Sequence, residues 1–344
     1  MKKTKIILIT ILILLAIPLV SGTIFVNSIL DRVIVDENGI GIDEEKIDLM
    51  ANPELQDKDK DVLNFALFGM DCRTDNYSGC RSDVVMLISY HTKTNKLNVT
   101  SVVRDTYVDI LSKGLDKLNH AYAYGGPQLA VQTLNRNFDL NIENYITVDF
   151  WAVENIIDVI GGVEIDVKSE EVYYVNGGVE EANNVDSNGK VGKMITGPGK
   201  QTLTGRQAVA YMRIRYAGNG DFERMERQRH VMEVALNKTK NLKLNQMVSL
   251  VDELISMVKT NMDKGVIIDL LTTVVTKGIP VMQQSQLPSV ESAEGMTING
   301  VYYYVPRTLL TNVENYHELI YPNSSYEPSS AVKEINSRIE ANIQ

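Results

Sequence analysis

Eight of the thirteen arginines of this 344-residue chain lie in two short stretches, Arg73 to Arg104 and Arg213 to Arg229, although the chain carries a formal net charge of −10. The second stretch, YMRIRYAGNGDFERMERQRHV from Tyr211, sets Arg213, Arg215, Arg224, Arg227 and Arg229 within seventeen residues. Guanidinium groups at that density must find anions or repel one another, and their planar forks suit bidentate capture of phosphate oxygens. Glu223 and Glu226 assign Arg227 and Arg229 instead to an exposed, salt-bridged helix face. Arg104 differs, because it ends KLNVTSVV, a stretch with the pattern of a buried strand.

The first stretch also carries carboxylates. GMDCR sets Asp71 at a strand end, and RSD sets Asp83 at the start of the next strand. Carboxylates among arginines suit a shared hard divalent cation, Mg²⁺ or alternatively Mn²⁺, which takes one or two carboxylates and completes its shell with phosphate oxygens and water. The alternative is that these two Asp pair with Arg73 and Arg81. No G-x-x-x-x-G-K-[ST] is present, and GPGKQT from Gly197 lacks that spacing. The net charge argues against nucleic acid, and four scattered histidines with one cysteine pair argue against zinc.

The elements that must position these groups alternate. VLNFALF (Val62 to Phe68), DVVMLISY (Asp83 to Tyr90) and Lys96 to Val103 read as strands, the last two as a hairpin turning at Thr92 to Asn95. A helix is expected over Pro127 to Phe138, a strand over Tyr145 to Phe150, a helix over Ala152 to Ile160, and a strand over Val163 to Val167. Thr204 to Met212 favours a helix; if the chain after it is extended, Arg213 and Arg215 point one way and Met212 and Ile214 the other. Asp221 is placed to cap a further helix carrying Arg224 and Gln228 on one face and Val231, Met232, Ala235 and Leu236 toward a core. Such alternation predicts an α/β fold with a layered sheet.

The N-terminus fixes the expected compartment. After Lys2, Lys3 and Lys5, residues 6–26 form an uncharged run long enough for a helix of roughly 30 Å, which predicts a transmembrane anchor with residues 1–5 in the cytoplasm. A cleaved signal peptide is the alternative, and both send the rest outside. Residues 27–61 read as an acidic stalk with a short helix near Glu44 to Met50, 62–322 as one large domain with a core near 62–240 and a C-terminal extension, and 323–344 as a tail with a closing helix near Ala331 to Ala341. In that setting Cys72 and Cys80 either form a disulfide, worth about 2.6 kcal/mol on the chain-entropy model, or stay as two free thiols. The phosphorylated substrate that fits an outer membrane face is a polyprenyl-diphosphate lipid.

GMDCR, RSDVVML, SVVRDTYV, KLNHAYAYGGP, NYITVDFWAVENIIDVIGGVEIDV, GKQTLTGRQAVAYMRIRY and GDFERMERQRHV, in that order, resemble the LytR-CpsA-Psr proteins, cell-wall glycopolymer ligases of Gram-positive bacteria. The resemblance implies an αβα sandwich with a central mixed sheet after one transmembrane helix. It further implies an enzyme that moves an anionic glycopolymer, such as wall teichoic acid or capsule, from a polyprenyl-diphosphate carrier to peptidoglycan. On these blocks Asp71 and Asp83 correspond to the metal side, Arg104, Arg213 and Arg215 to the diphosphate clamp, and Arg81 and Lys117 to helpers. Asp221 corresponds to the acid that activates the acceptor hydroxyl, with Arg224 and Gln228 beside the phosphate. Val103 stands where the family often has Pro, and the cysteine pair brackets the loop between the two Asp. His120, Trp151, Tyr122, Tyr124 and Tyr302 to Tyr304 are expected to be packed rather than to line a ligand. A lipid-phosphate binder without turnover and a diphosphatase remain the competing functions.

Overall fold

The computed structural model describes residues 34–35, 61–71, 77, 79–186, 189–217, 220–240, 258–262, 264–322 and 324–343. The anchor expected at 6–26, most of the stalk, its helix near Glu44 and Cys72 lie outside these residues.

A seven-stranded mixed sheet forms the centre. In chain order its strands are β1 (Ile34–Val35), β2 (Val62–Met70), β3 (Ser82–His91), β4 (Lys96–Val102), β7 (Asn144–Asp149), β10 (Lys259–Thr260) and β11 (Val281–Leu287). Across the sheet they run β1-β10-β7-β2-β3-β4-β11. The expected hairpin is present, with β3 antiparallel to β4 and Met86 opposite Ser101. Strand β2 pairs antiparallel with β3 and parallel with β7. Alternation along the strands divides the faces. Ala66, Phe68, Met70, Val85, Leu87 and Val102 enter one core, and Met86, Ile88 and Val99 enter another.

The first core is covered by α1 (Leu118–Phe138), α7 (Leu309–Ile320) and α8 (Ser330–Ile343). Helix α1 begins nine residues before the expected Pro127, because Gly125 and Gly126 interrupt it with non-helical dihedrals and mask the turn of helix ahead of them. The expected closing helix is α8, and its Val332, Ile335 and Ile339 are buried in the main core.

On the other face lie α2 (Phe150–Val159), α3 (Ser169–Val185), α4 (Gly205–Met212) and α5 (Asp221–Thr239), together with β8 (Val163–Val167) and β9 (Gly199–Leu203). Helices on both faces of the sheet make the αβα arrangement. Helix α2 is N-capped by Asp149, which accepts from Ala152 N at 2.7 Å, and Thr204 with Gln207 forms a capping box on α4. Asp221 does not cap α5: the N-cap is Gly220, with φ 64°, and the carboxylate one position later is directed at arginines instead.

Candidate active site: an arginine cluster between a polar and an apolar cavity

Asp83, next to the start of β3, is the hub. Arg104, two residues after β4, donates through Nη1 to Asp83 Oδ1 at 2.6 Å, and Arg215 donates through Nη2 to Oδ2 at 2.9 Å. Arg224, one turn into α5, places Nη2 3.5 Å from the Asp83 carbonyl oxygen and 3.3 Å from Asp221 Oδ2. Arg104 Nε lies 3.2 Å from the same Asp221 oxygen and 3.7 Å from Asp105. Three guanidinium groups from three segments thus meet two carboxylates.

The electrostatics are lopsided. Burial pushes the Asp83 carboxyl up, but Arg104, Arg224 and Arg215 together outweigh it and hold the group below the ordinary carboxylate value. Burial pulls Arg104 down, and Asp83, Asp221 and Asp105 more than restore it. Arg224 moves the other way, pushed down to about 10 by burial and then by Arg104, with Asp221 opposing only in part. Its side chain is 4% exposed. The Nε of Arg224 is buried without a partner, and that of Arg104 meets Asp221 at 3.2 Å without a hydrogen bond. Buried donors left unpaired are costly, so their presence marks a place where an anion completes the structure.

A cavity of about 340 Å³ opens beside them, lined by Asp71, Asp83, Arg213, Arg215, Arg224 and Gln228. Arg213, Ile214 and Arg215 all line this cavity, with Ile214 buried; Arg213 closes α4 with helical dihedrals, so the alternation expected of an extended chain does not apply here. Arg213 lies over the Phe150 ring at 4.8 Å and approaches Glu181 at 3.5 Å and Asp71 at 3.9 Å. Asp71 and Asp83 share the wall, and among the described residues no group of three or more His, Cys, Asp or Glu side chains gathers to hold a metal. Two carboxylates fit a magnesium ion that draws its remaining ligands from phosphate and water, and they do not make a cage for an ion alone.

A second cavity, about 210 Å³, is almost wholly apolar and shares Val84, Phe150 and Gln228 with the first. Leu67, Met86, Val148, Ile156, Val231 and Met232 are among its walls. Gly69 belongs to them too: a Cβ there would fall 2.7 Å from Val84 Cβ, so only glycine allows this approach.

The structure sorts the sequence-predicted residues. Asp71, Asp83, Arg213, Arg215, Arg224 and Gln228 line the polar cavity, and Arg104 and Asp221 pair at its edge. Arg81 is exposed and lines neither cavity, and Asp83 pairs with Arg104 and Arg215 rather than with it. Lys117 binds Asp105 at 2.9 Å instead of facing the cavity. Arg227 is not on an exposed face: it is buried, held by Glu171 and Glu223 at 2.8 Å each. Arg229 is also buried, with Nε and Nη1 unpaired, yet it lines neither cavity, and nothing in the structure explains it. Cys80 is disulfide-bonded; Cys72 is the one other cysteine in the sequence. His120 is hydrogen-bonded to Asp116 at 2.9 Å and meets the Tyr124 ring edge-on at 5.8 Å, whereas Tyr124, expected to be packed, is exposed. Sequence reasoning missed Phe150, Tyr173, Tyr174, Glu181 and Tyr216 on the cavity wall. The pair Tyr173-Tyr174 before Gly177-Gly178 was the signal available, since small residues after aromatics on a helix permit close approach.

Comparison with known proteins agrees with this geometry. The LytR_cpsA_psr family model matches residues 32–318. A polyisoprenyl-teichoic acid–peptidoglycan teichoic acid transferase TagU from Oceanobacillus iheyensis is 32% identical over 255 residues, 72% of each chain. The TagU of Bacillus subtilis is 31% identical over 252 residues, covering 71% of this chain and 73% of its own. Among solved structures, TagT bound to LIIa-WTA superposes with a TM-score of 0.59 at 27% identity, over 76% of this chain and 90% of that one. A YwtF (TagT) structure with bound octaprenyl pyrophosphate lipid gives 0.55 at 26% identity, over 77% and 92%. With the family model matching residues 32–318 and relatives above 30% identical over more than two thirds of both chains, the chain belongs to the LytR-CpsA-Psr family.

Proposed function

We propose that this chain transfers an anionic glycopolymer from a polyprenyl-diphosphate carrier to a hydroxyl of peptidoglycan. One observation carries the reading: a polar cavity edged by incompletely paired arginines shares its wall with an apolar cavity, so a charged head and a hydrocarbon tail have adjoining places. The relatives named for teichoic acid transfer and the neighbour holding octaprenyl pyrophosphate support the same substrate class.

In this mechanism Arg104, Arg215 and Arg224 neutralise the diphosphate, Arg213 and Gln228 orient it, and the lipid lies along Val84, Val231 and Met232. Asp221, between the guanidinium groups of Arg104 and Arg224, accepts the proton of the acceptor hydroxyl. That oxygen bonds to the glycan-side phosphorus as the bridging P–O bond breaks, and polyprenyl phosphate leaves. Asp71 and Asp83 would hold Mg²⁺, or Mn²⁺, which when bound neutralises charge on the diphosphate oxygens. Positioning and preorganised charge suffice for such transfer, so no covalent nucleophile is required. Residues 6–26 would anchor the chain in the cell membrane with this site outside.

Native mass spectrometry of the purified protein tests the donor site, with a co-purifying polyprenyl phosphate expected in the wild type and absent in Arg104→Ala. Failure to bind added polyprenyl diphosphate with Mg²⁺ would overturn the proposal. Metal-dependent release of free glycan, with no transfer when acceptor is supplied, would convert the activity to a diphosphatase.

A further inference from the structure

Lys117 and the tyrosines of the strand pair β12 (Ala293–Ile298) and β13 (Val301–Pro306) form a second surface at Asp105, the chain neighbour of Arg104. Lys117 Nζ lies 2.9 Å from Asp105 Oδ1 and 5.9 and 5.7 Å from the ring centres of Tyr302 and Tyr303. Tyr302, expected to be packed, is 51% exposed. The hydroxyl end of its ring approaches β12 at Gly295: a Cβ there would stand 2.6 Å from the Tyr302 hydroxyl and 2.8 Å from its Cε2. The strand pair is pinned beside the arginine cluster, with Tyr304 N donating to Asp105 O at 2.9 Å and the Tyr304 ring edge-on to Phe222 at 5.3 Å. Burial pushes the Tyr302 phenol up, and Asp105 and Asp221 push it further, so both carboxylates lie within electrostatic reach of it.

Helix α5 orders the parts along one line. Val231, Met232 and Ala235 face the apolar cavity, Arg224 and Gln228 the polar one, and Asp221 begins the helix. From Gln228 back to Asp221 is about 10 Å at the rise of an α-helix. In phosphoryl transfer the attacking and leaving oxygens lie roughly in line through phosphorus. If polyprenyl phosphate departs toward Ala235, the acceptor must arrive from the Asp221 end, where Phe222, Tyr304 and the β12–β13 pair stand.

We propose that the exposed Tyr302 ring, with Lys117 and Asp105 beside it, is the acceptor subsite and stacks a neutral N-acetylated sugar of the peptidoglycan glycan strand. This rests on the transferase reading above. The chemistry suits a sugar better than a second polyanion, because Asp105 and Asp116 offset Lys113 and Lys117 there. The electron-rich face of a tyrosine attracts the polarised C–H bonds of a pyranose, and an ammonium next to a carboxylate offers a donor and an acceptor to sugar hydroxyls. Tyr173 and Tyr216, both exposed, line the donor cavity and would follow the donor glycan.

The test uses full-length protein in nanodiscs, labelled with 3-fluorotyrosine and titrated with an uncrosslinked tetrasaccharide of alternating N-acetylglucosamine and N-acetylmuramic acid. The fluorine resonance assigned by Tyr302→Phe is expected to shift while those of Tyr173 and Tyr216 stay. Shifts at Tyr173 or Tyr216 alone, or none up to millimolar tetrasaccharide, would overturn the subsite. In transfer assays Tyr302→Ala is expected to raise the acceptor KM about tenfold or more, leaving kcat and the donor KM within twofold, and Tyr302→Trp to restore it. An equal rise in donor KM, or an unchanged acceptor KM in a variant with wild-type melting temperature, also overturns it. A wild type that binds the tetrasaccharide at Tyr302 but never takes up polyprenyl diphosphate would instead sink the donor reading.

Discussion

Arg206 and Arg227 on one side, and the half-buried Arg104 and buried Arg224 on the other, belong to one acidic chain, yet they are finished to different degrees. Arg206 gives Nε to Glu154 at 3.1 Å, Nη1 to Asn183 at 2.7 Å and Nη2 to Asp186, with its guanidinium over Trp151. Arg227 is closed in the same way by Glu171, Glu223 and the carbonyls of Ile214 and Ala217. Arg224 keeps an unpaired Nε on the cavity wall, and Arg104 keeps an Nε that sits 3.2 Å from Asp221 without a hydrogen bond to it. Saturated guanidinium groups hold elements together, whereas the unsaturated ones are stabilised fully only when an anion arrives. Net charge cannot separate the two kinds, and partner counting can.

The widest separation should come from one truncation in each set. Arg104→Ala is expected to lower glycopolymer transfer by about 10²-fold or more, as when a preorganised charge partner is removed. Its unfolding midpoint should move little, because Asp83 keeps Arg215 and Asp221 keeps Arg224. Arg227→Ala should do the reverse, costing about 3–5 kcal/mol in urea denaturation by leaving Glu171 buried and unpaired. A variant of Arg227 that folds normally and fails only in transfer would collapse the distinction.

Arg229 sharpens it. This arginine is buried and unsaturated but borders neither cavity, and burial pushes its guanidinium down with only Glu226 opposing. If an adjoining cavity is what makes unsaturation functional, Arg229→Met should leave transfer unchanged and raise stability by about 1 kcal/mol, since an apolar side chain replaces a poorly paired buried charge. Loss of transfer would mean that its unpaired nitrogens serve the site through a path the cavities do not reveal.

Acid titration separates the hub from its surroundings. Asp83 is held below its ordinary value of 3.8 in the folded chain, so its contribution to stability is complete above that pH and is lost as pH falls through the lower folded value. The urea midpoints of wild type and Asp83→Asn should therefore differ by a constant amount above pH 4 and converge on acidification below 3.8. A difference that persists unchanged at the acid end would show that packing, not charge, is what Asp83 supplies.

How much of this was legible beforehand follows the range of the interactions. Strands β2, β3 and β4 depend on neighbours in sequence and were readable there. The alternation expected of an extended chain after Met212 does not hold, because Arg213 closes α4 in a helical conformation and Ile214 lines the same cavity as the two arginines. The break at Gly125-Gly126 hid the first half of α1, because a Gly-Gly-Pro triplet after Tyr124 reads as a loop when the tertiary packing of Leu118 and Tyr122 is not visible. The partners of Arg227 could not be read locally: Glu223 is four residues away, but Glu171 is fifty-six, and that contact is what turns an apparent surface arginine into a buried one. Lys117 was misplaced for a related reason. The family resemblance made it a helper at the phosphate, whereas β5 (Tyr107–Ile110) and β6 (Gly114–Lys117) fold back as a hairpin that delivers it to Asp105.

The gentlest test lies at Arg213, which belongs to neither extreme. It is partly exposed, 3.5 Å from Glu181 and 3.9 Å from Asp71, and its guanidinium faces the Phe150 ring at 4.8 Å. Lysine at this position would keep the charge near the diphosphate but lose the flat face that stacks on Phe150 and the fork that reaches two oxygens. A cation–π contact at such an exposed site is worth about 0.5–1 kcal/mol, so Arg213→Lys should raise the donor KM only a few-fold and leave kcat near the wild-type value. If kcat instead falls as far as in Arg104→Ala, Arg213 contacts the transferring phosphate in the transition state, and the unsaturated set must be extended from Arg104 and Arg224 to the cavity's outer wall.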